Sequence, residues 1–169
     1  MTQEEKQLLF KDICARLPYG VICVTTSVYY DIDDNEVGKA QGRLVSINRH
    51  GASFVDDKDD TTFGADFEDN GQIGFKPYLR PMSSMTEEEY TEYCTMRGRN
   101  CDYGEATISV SKSLYPRHLY DDGEPVKITV YYPNPVIQDW LNKKMFDYRG
   151  LIPKGLAIEA PEGMYSENC

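Results

Sequence analysis

Two acidic runs are the first residues whose types and spacing could carry chemistry. Asp31, Asp33 and Asn35 place oxygen ligands at alternate positions, as the first half of a calcium loop does. An EF-hand then needs glycine at the sixth place and a bidentate glutamate at the twelfth, where this chain has Glu36 and Gly42. Asp56, Asp57, Asp59 and Asp60 form the second run, able to hold a divalent cation weakly if the two runs met in space. Asp and Asn also satisfy turn amides locally, so solvated turns account for both runs, and no metal or other cofactor is expected. Cys94, Cys101 and His118 lack the spacing of a zinc module. The five cysteines are odd in number and without CxxC spacing, which suits free thiols, with Cys14 and Cys23 as small core residues.

Nucleophilic and phosphate chemistry find no better footing. With only His50 and His118 in the chain, a nucleophile–histidine pair has few ways to form, and His50 precedes Gly51 in an apparent turn. Ser46, Ser83 and Ser84 sit in no nucleophile elbow, and Cys14 falls on a helix face that should be buried. No carboxylate pair is marked by its setting for glycoside hydrolysis. Neither a GK[ST] pair nor the Rossmann glycine pattern occurs. The chain is therefore not expected to be an enzyme. A ring beside a guanidinium suits a base and a phosphate, which makes Tyr78 with Arg80, and Tyr148 with Arg149 and the nearby Lys154, the candidate ligand or partner surface. The structural alternative is that each Tyr packs its ring and exposes its hydroxyl. Thirteen tyrosines also suit a protein-binding surface, because Tyr and Arg are enriched at interface hot spots.

The elements that must position these residues follow from local signals. Thr2 with Glu5 makes a capping box for a helix over Thr2–Arg16, which Pro18 ends. Gly20 to Tyr30 alternates in a β-branched run and reads as a strand, and Gly42 to Asn48 resumes extended structure. Phe63, Ala65 and Phe67, then Asp69-Asn70-Gly71, then Ile73 and Phe75 read as a hairpin, because Asn-Gly supplies the positive φ of a tight turn. Lys76 to Met85, with two prolines, is expected to leave the sheet. Thr86 with Glu89 starts a second helix running to about Met96 and ended by Gly98. Ala106–Val110 and Pro125–Tyr132 are expected to pair as an inserted hairpin, with Asp121-Asp122-Gly123 as its turn. Asn134-Pro135 opens a third helix whose stripe is Ile137, Leu141 and Met145 with Trp140 beside it, and a glycine-punctuated tail follows.

Three separated blocks carry a resemblance: Ala15-Arg16-Leu17-Pro18-Tyr19-Gly20-Val21, then Lys76-Pro77-Tyr78-Leu79-Arg80-Pro81-Met82 with the Ser-Ser-Met-Thr-Glu-Glu-Glu that follows, then Trp140 to Tyr165. Together they cover about half the chain and resemble an uncharacterised family of small proteins from gut bacteria and their phages and mobile elements. Tyr90 to Asn134 does not match and reads as an insertion. The resemblance implies a cytoplasmic, mobile-element setting and brings no activity, cofactor or catalytic residue.

A formal charge of −10 argues against unassisted nucleic-acid binding and suits an acidic face presented to a basic partner. No apolar run is long enough to span a bilayer, and Met1-Thr2-Gln3-Glu4-Glu5-Lys6 is unlike a signal peptide, so the location expected is the cytoplasm. The fold expected is α+β: a small antiparallel, SH3-like barrel or bent sheet over 20–81, about three flanking helices, an insertion at 98–133, and a C-terminal helix and wrapping tail at 134–165, all in one domain. The function expected is a non-catalytic protein-binding or adaptor role. Small-ligand or nucleotide binding, and then a metal-dependent hydrolase, are the alternatives.

Overall fold

The computed structural model describes residues 1–26, 29–30, 36–69, 71–96, 108–109, 127–128 and 135–165. The architecture is α+β. Its helices are α1 (Gln3–Arg16), α2 (Glu87–Met96) and α3 (Pro135–Lys143). The strands are β1 (Ile22–Thr25), β2 (Tyr29–Tyr30), β3 (Glu36–Gly38), β4 (Gln41–Ile47), β5 (Gly51–Val55), β6 (Thr62–Asp66), β7 (Glu68–Asp69), β8 (Gln72–Ile73), β9 (Phe75–Leu79), β10 (Ile108–Ser109), β11 (Lys127–Ile128) and β12 (Ile158–Glu159). The chain divides into two compact units, where one domain with an insertion at 98–133 was expected. A sheet unit holds Met1–Leu79 and Arg149–Cys169, and an inserted unit holds Arg80–Tyr148.

In the sheet unit six strands lie in the order β12-β9-β1-β4-β5-β6. Neighbours run antiparallel except β12, which is parallel to β9, so the sheet is mixed and is not closed into the expected barrel. It is locally bent: the register slips between Leu44 and Ser46, leaving Val45 as an extra, 47% exposed residue that kinks β4. Strand β5 is absent from the sequence reading, which saw only a turn at His50-Gly51. Gly51 is required there, because a Cβ would sit 2.2 Å from the Ala65 carbonyl oxygen across the strand pair.

Strand β9 is a correction, since Lys76 to Leu79 stays in the sheet despite Pro77. The Thr26 amide donates to Gly74 O at 2.9 Å, and alternation along the ladder then makes Cys23 and Pro77 a pair that exchanges no hydrogen bond. The missing proline N–H therefore costs no bond to β1. A hairpin forms at Gly71, φ +78°, but only as the two-residue strands β7 and β8; of the expected longer arms, Phe63 and Ala65 pair with β5 and Phe75 with β1.

The core of this unit is built from α1 and the sheet. Leu9 and Ile13 of α1 are fully buried, with Phe54, Phe67 and Phe75. The rings interlock, Phe54 to Phe75 at 5.0 Å and Phe67 to Phe75 at 5.3 Å between centroids. Leu151, Leu156, Ala157 and Tyr165 from the C-terminal segment are buried as well.

In the inserted unit, α2 and α3 share a cluster of Met85, Tyr93, Ile137, Trp140, Leu141 and Phe146. The expected C-terminal helix and wrapping tail at 134–165 divides between the units: Trp140 and Phe146 belong to this one and Leu151 onward to the other. Helix α3 ends in a Schellman pattern: Phe146 N–H donates to Leu141 O at 3.0 Å and Met145 N–H to Asn142 O at 3.1 Å, with Met145 at φ +59° where glycine is usual. The expected inserted hairpin is present in its pairing, β10 with β11 through Ile108 and Ile128, while its turn at Asp121-Asp122-Gly123 lies outside the described residues. The strand reading at Ser27–Val28 and the acidic run Asp31–Asn35 also lie outside them.

Candidate functional site

Each unit contains a network of buried or half-buried charged side chains, and two of the five residues suspected of ligand contact, Arg80 and Arg149, are members. In the sheet unit, Asp12 and Arg16 lie one turn apart on α1, and both side chains are 0% exposed. Arg16 Nε donates to Asp12 Oδ2 at 2.7 Å and its Nη2 to Oδ1 at 3.0 Å, a two-pronged pair. Arg149, on the returning C-terminal segment, donates from Nη1 to the same Oδ1 at 2.7 Å and is 8% exposed. Two guanidinium groups thus share one buried carboxylate.

Beside this triad the Cys23 thiol is fully buried. Burial pushes its pKa far up, Asp12 adds to the rise, and Arg16 opposes it, so the thiolate nucleophile is disfavoured. The Cys14 thiol is likewise raised by burial. Tyr165 closes the unit: its hydroxyl accepts the Ile22 amide at 3.2 Å and donates to Tyr78 O at 2.8 Å, tying the C-terminal segment to β1 and β9. Burial holds its phenol well above the ordinary tyrosine range. Tyr165→Phe removes both bonds and strands the Ile22 amide. A loss of about 1–3 kcal/mol is expected in urea unfolding, and an unchanged midpoint would show that the hydroxyl ties nothing.

In the inserted unit the centre is Arg80. Its Nη1 and Nη2 donate to Glu89 Oε1 and Oε2, both at 2.8 Å, and Nη2 also reaches Ser84 O at 3.1 Å. The guanidinium lies over the Phe146 ring, 4.3 Å from its centre. Glu89 is the third helical residue of the capping box anticipated from the sequence: the Thr86 amide donates to its Oε2 at 3.0 Å, and its own amide to Thr86 Oγ1 at 3.2 Å. Lys144 Nζ stands 3.8 Å from Oε1.

Burial raises the Glu89 carboxyl, but the Arg80 bonds, the Thr86 amide and the charges of Arg80 and Lys144 together hold it below the ordinary glutamate range. A depressed carboxylate contributes stability that is present above the unfolded value, about 4.3, and is lost as pH falls through the lower folded value. Acid unfolding followed by Trp140 fluorescence should therefore show a steep loss below about pH 4.3 that Glu89→Gln flattens. An identical acid slope in the two proteins would remove Glu89 from that role.

Of the suspected surface, Tyr78, Arg149 and Lys154 belong to the sheet unit and Arg80 and Tyr148 to the inserted unit, so each Tyr–Arg pair straddles a boundary. Arg80 and Arg149 are engaged as described, and the Tyr148 hydroxyl donates to Asn142 Oδ1 at 3.1 Å. Lys154 is exposed. What sequence reasoning missed is Asp12: an acidic residue four before Arg16 reads as a surface pair until the chain returns with Arg149.

The second acidic run caps its own turn. Asp56 Oδ1 accepts the Lys58 amide at 2.8 Å, and Asp59 Oδ1 accepts the Thr61 amide and hydroxyl at 3.0 and 2.7 Å. Asp57 pairs with Arg43. Among the described residues no group of three or more His, Cys, Asp or Glu side chains is placed to hold a metal ion. His50 is exposed, its Nε2 accepting from Arg49 Nε at 2.8 Å in the turn between β4 and β5. No helix among the described residues is long and apolar enough to cross a membrane. No protein-family model, curated protein or solved structure matches the chain.

Proposed function

We propose that this chain is a non-catalytic protein-binding or adaptor protein, of phage or mobile-element origin, that meets a basic partner in the cytoplasm. The observation that carries this reading is where the charge goes. The two networks consume four cations, Arg16, Arg149, Arg80 and Lys144, against two carboxylates, Asp12 and Glu89. Of 18 basic and 28 acidic residues this leaves 14 and 26 elsewhere in the chain. Among the exposed described residues, twelve are acidic and seven are Lys or Arg.

Such a field draws basic partners and repels nucleic acid. The same pairing weakens the nucleotide reading, because the guanidinium groups that would meet a phosphate already hold carboxylates. Against the hydrolase reading, the described acidic run at 56–60 caps its own turn and pairs with Arg43, and the buried Cys23 thiol has its thiolate disfavoured. The test is capture of partners by the tagged chain from its native host at low and high salt, with native mass spectrometry of the eluate. A stoichiometric basic protein released as ionic strength rises is the expected result. Turnover of any substrate that a single substitution abolishes would overturn the reading.

A further inference from the structure

The Trp140 indole is the place where the inserted unit leaves chemistry unfinished. The residue is 8% exposed, yet among the described residues its Nε1–H is the buried side-chain polar group with no hydrogen-bond partner. Folded chains seldom strand a donor in this way, because it has given up water and received nothing in return. Its surroundings are aromatic and sulfur-rich. Phe146 stacks at 5.7 Å and Tyr93 lies at 6.1 Å, with Met85 buried beside them and Met82 and Met96 partly exposed against the cluster.

We propose that this cluster binds a flat aromatic molecule carrying a neutral hydrogen-bond acceptor on its edge, a ring nitrogen or a ring carbonyl, which takes the Trp140 N–H. Three features select that class. Stacked rings favour a planar guest, and methionine side chains, unbranched and polarizable, rearrange around one at little cost. The orphan donor demands an acceptor. An anionic guest is disfavoured, since the Arg80 guanidinium over Phe146 is already held by both oxygens of Glu89. The site lies within the inserted unit and does not depend on the protein-binding reading, because its test uses the purified chain alone.

Trp140 is the chain's single tryptophan, so the protein gives one indole N–H resonance and that resonance reads this site. Quinoline and naphthalene are matched in shape and differ by one acceptor nitrogen. Titrating the labelled full chain with quinoline should move the indole proton downfield and saturably, as a new hydrogen bond does. Naphthalene, taken to its solubility limit, should produce no downfield movement. In Trp140→Phe the ring remains and the donor is gone, and quinoline's effect on the methionine methyl resonances should weaken on the order of tenfold. Equal movement by the two probes would overturn the proposal, as would an indole proton that stays still. An indole proton already hydrogen-bonded in the free protein would mean that water or the chain itself supplies the acceptor, and would overturn it too.

Discussion

Replacing Asp12 with alanine is expected to destabilise the protein by about 3–5 kcal/mol, the loss that follows when one partner of a buried ion pair is removed. The size comes from what is left behind. The Arg16 side chain is 0% exposed and that of Arg149 is 8% exposed, so neither guanidinium can turn to water when their shared carboxylate is gone. Placing two like charges together in that setting adds repulsion to the lost hydrogen bonds. Removing Arg149 instead, as Arg149→Met, keeps the Asp12–Arg16 pair one to one and fills the space with an apolar chain. Its loss should be clearly smaller. Urea unfolding by circular dichroism orders the two. An Asp12→Ala loss below about 1 kcal/mol would mean that the guanidinium groups find equivalent partners elsewhere.

What the sequence made legible was what local chemistry decides. Both capping boxes, Thr2 with Glu5 and Thr86 with Glu89, are in place because each closes within one helical turn. The β7–β8 hairpin follows from an equally short signal, and the pairing of β10 with β11 from two extended runs. Strand β5 was hidden because Gly51 and Ala52 carry little β-propensity, and its place depends on β4 and β6 on either side. Strand β9 was hidden because Pro77 reads as a breaker unless the unused direction of its amide is known.

The candidate site failed to be read for the same reason. Arg80 and Arg149 were singled out as cations beside rings, and that much is in the sequence. Their partners are not adjacent to them: Glu89 stands nine residues away and Asp12 stands 137 away. Pro81 and Gly150 stand close to the two crossings and read as punctuation, but such breaks also end loops within one domain, so they do not tell where one unit gives way to the other.

Trp140→Ala should cost about 3–5 kcal/mol, as truncation of a large buried aromatic does. The indole packs on Phe146 and Tyr93 and lies in one cluster with Ile137 and Leu141, so its removal leaves a void between α2 and α3 that short side chains cannot close. Circular dichroism in urea is the measurement, since the variant has no tryptophan to follow. A loss below about 1 kcal/mol would place the indole at a surface and turn the cluster from core into interface. Trp140→Phe separates the two contributions of the residue. It keeps a ring for stacking and deletes an N–H that contributes no bond, so its loss should be far smaller than that of alanine. Were phenylalanine as damaging as alanine, the stability would come from the second ring or from an N–H already bonded in the unliganded protein. The indole proton of the free wild-type chain decides between them, and a downfield, bonded position would remove the case for a guest.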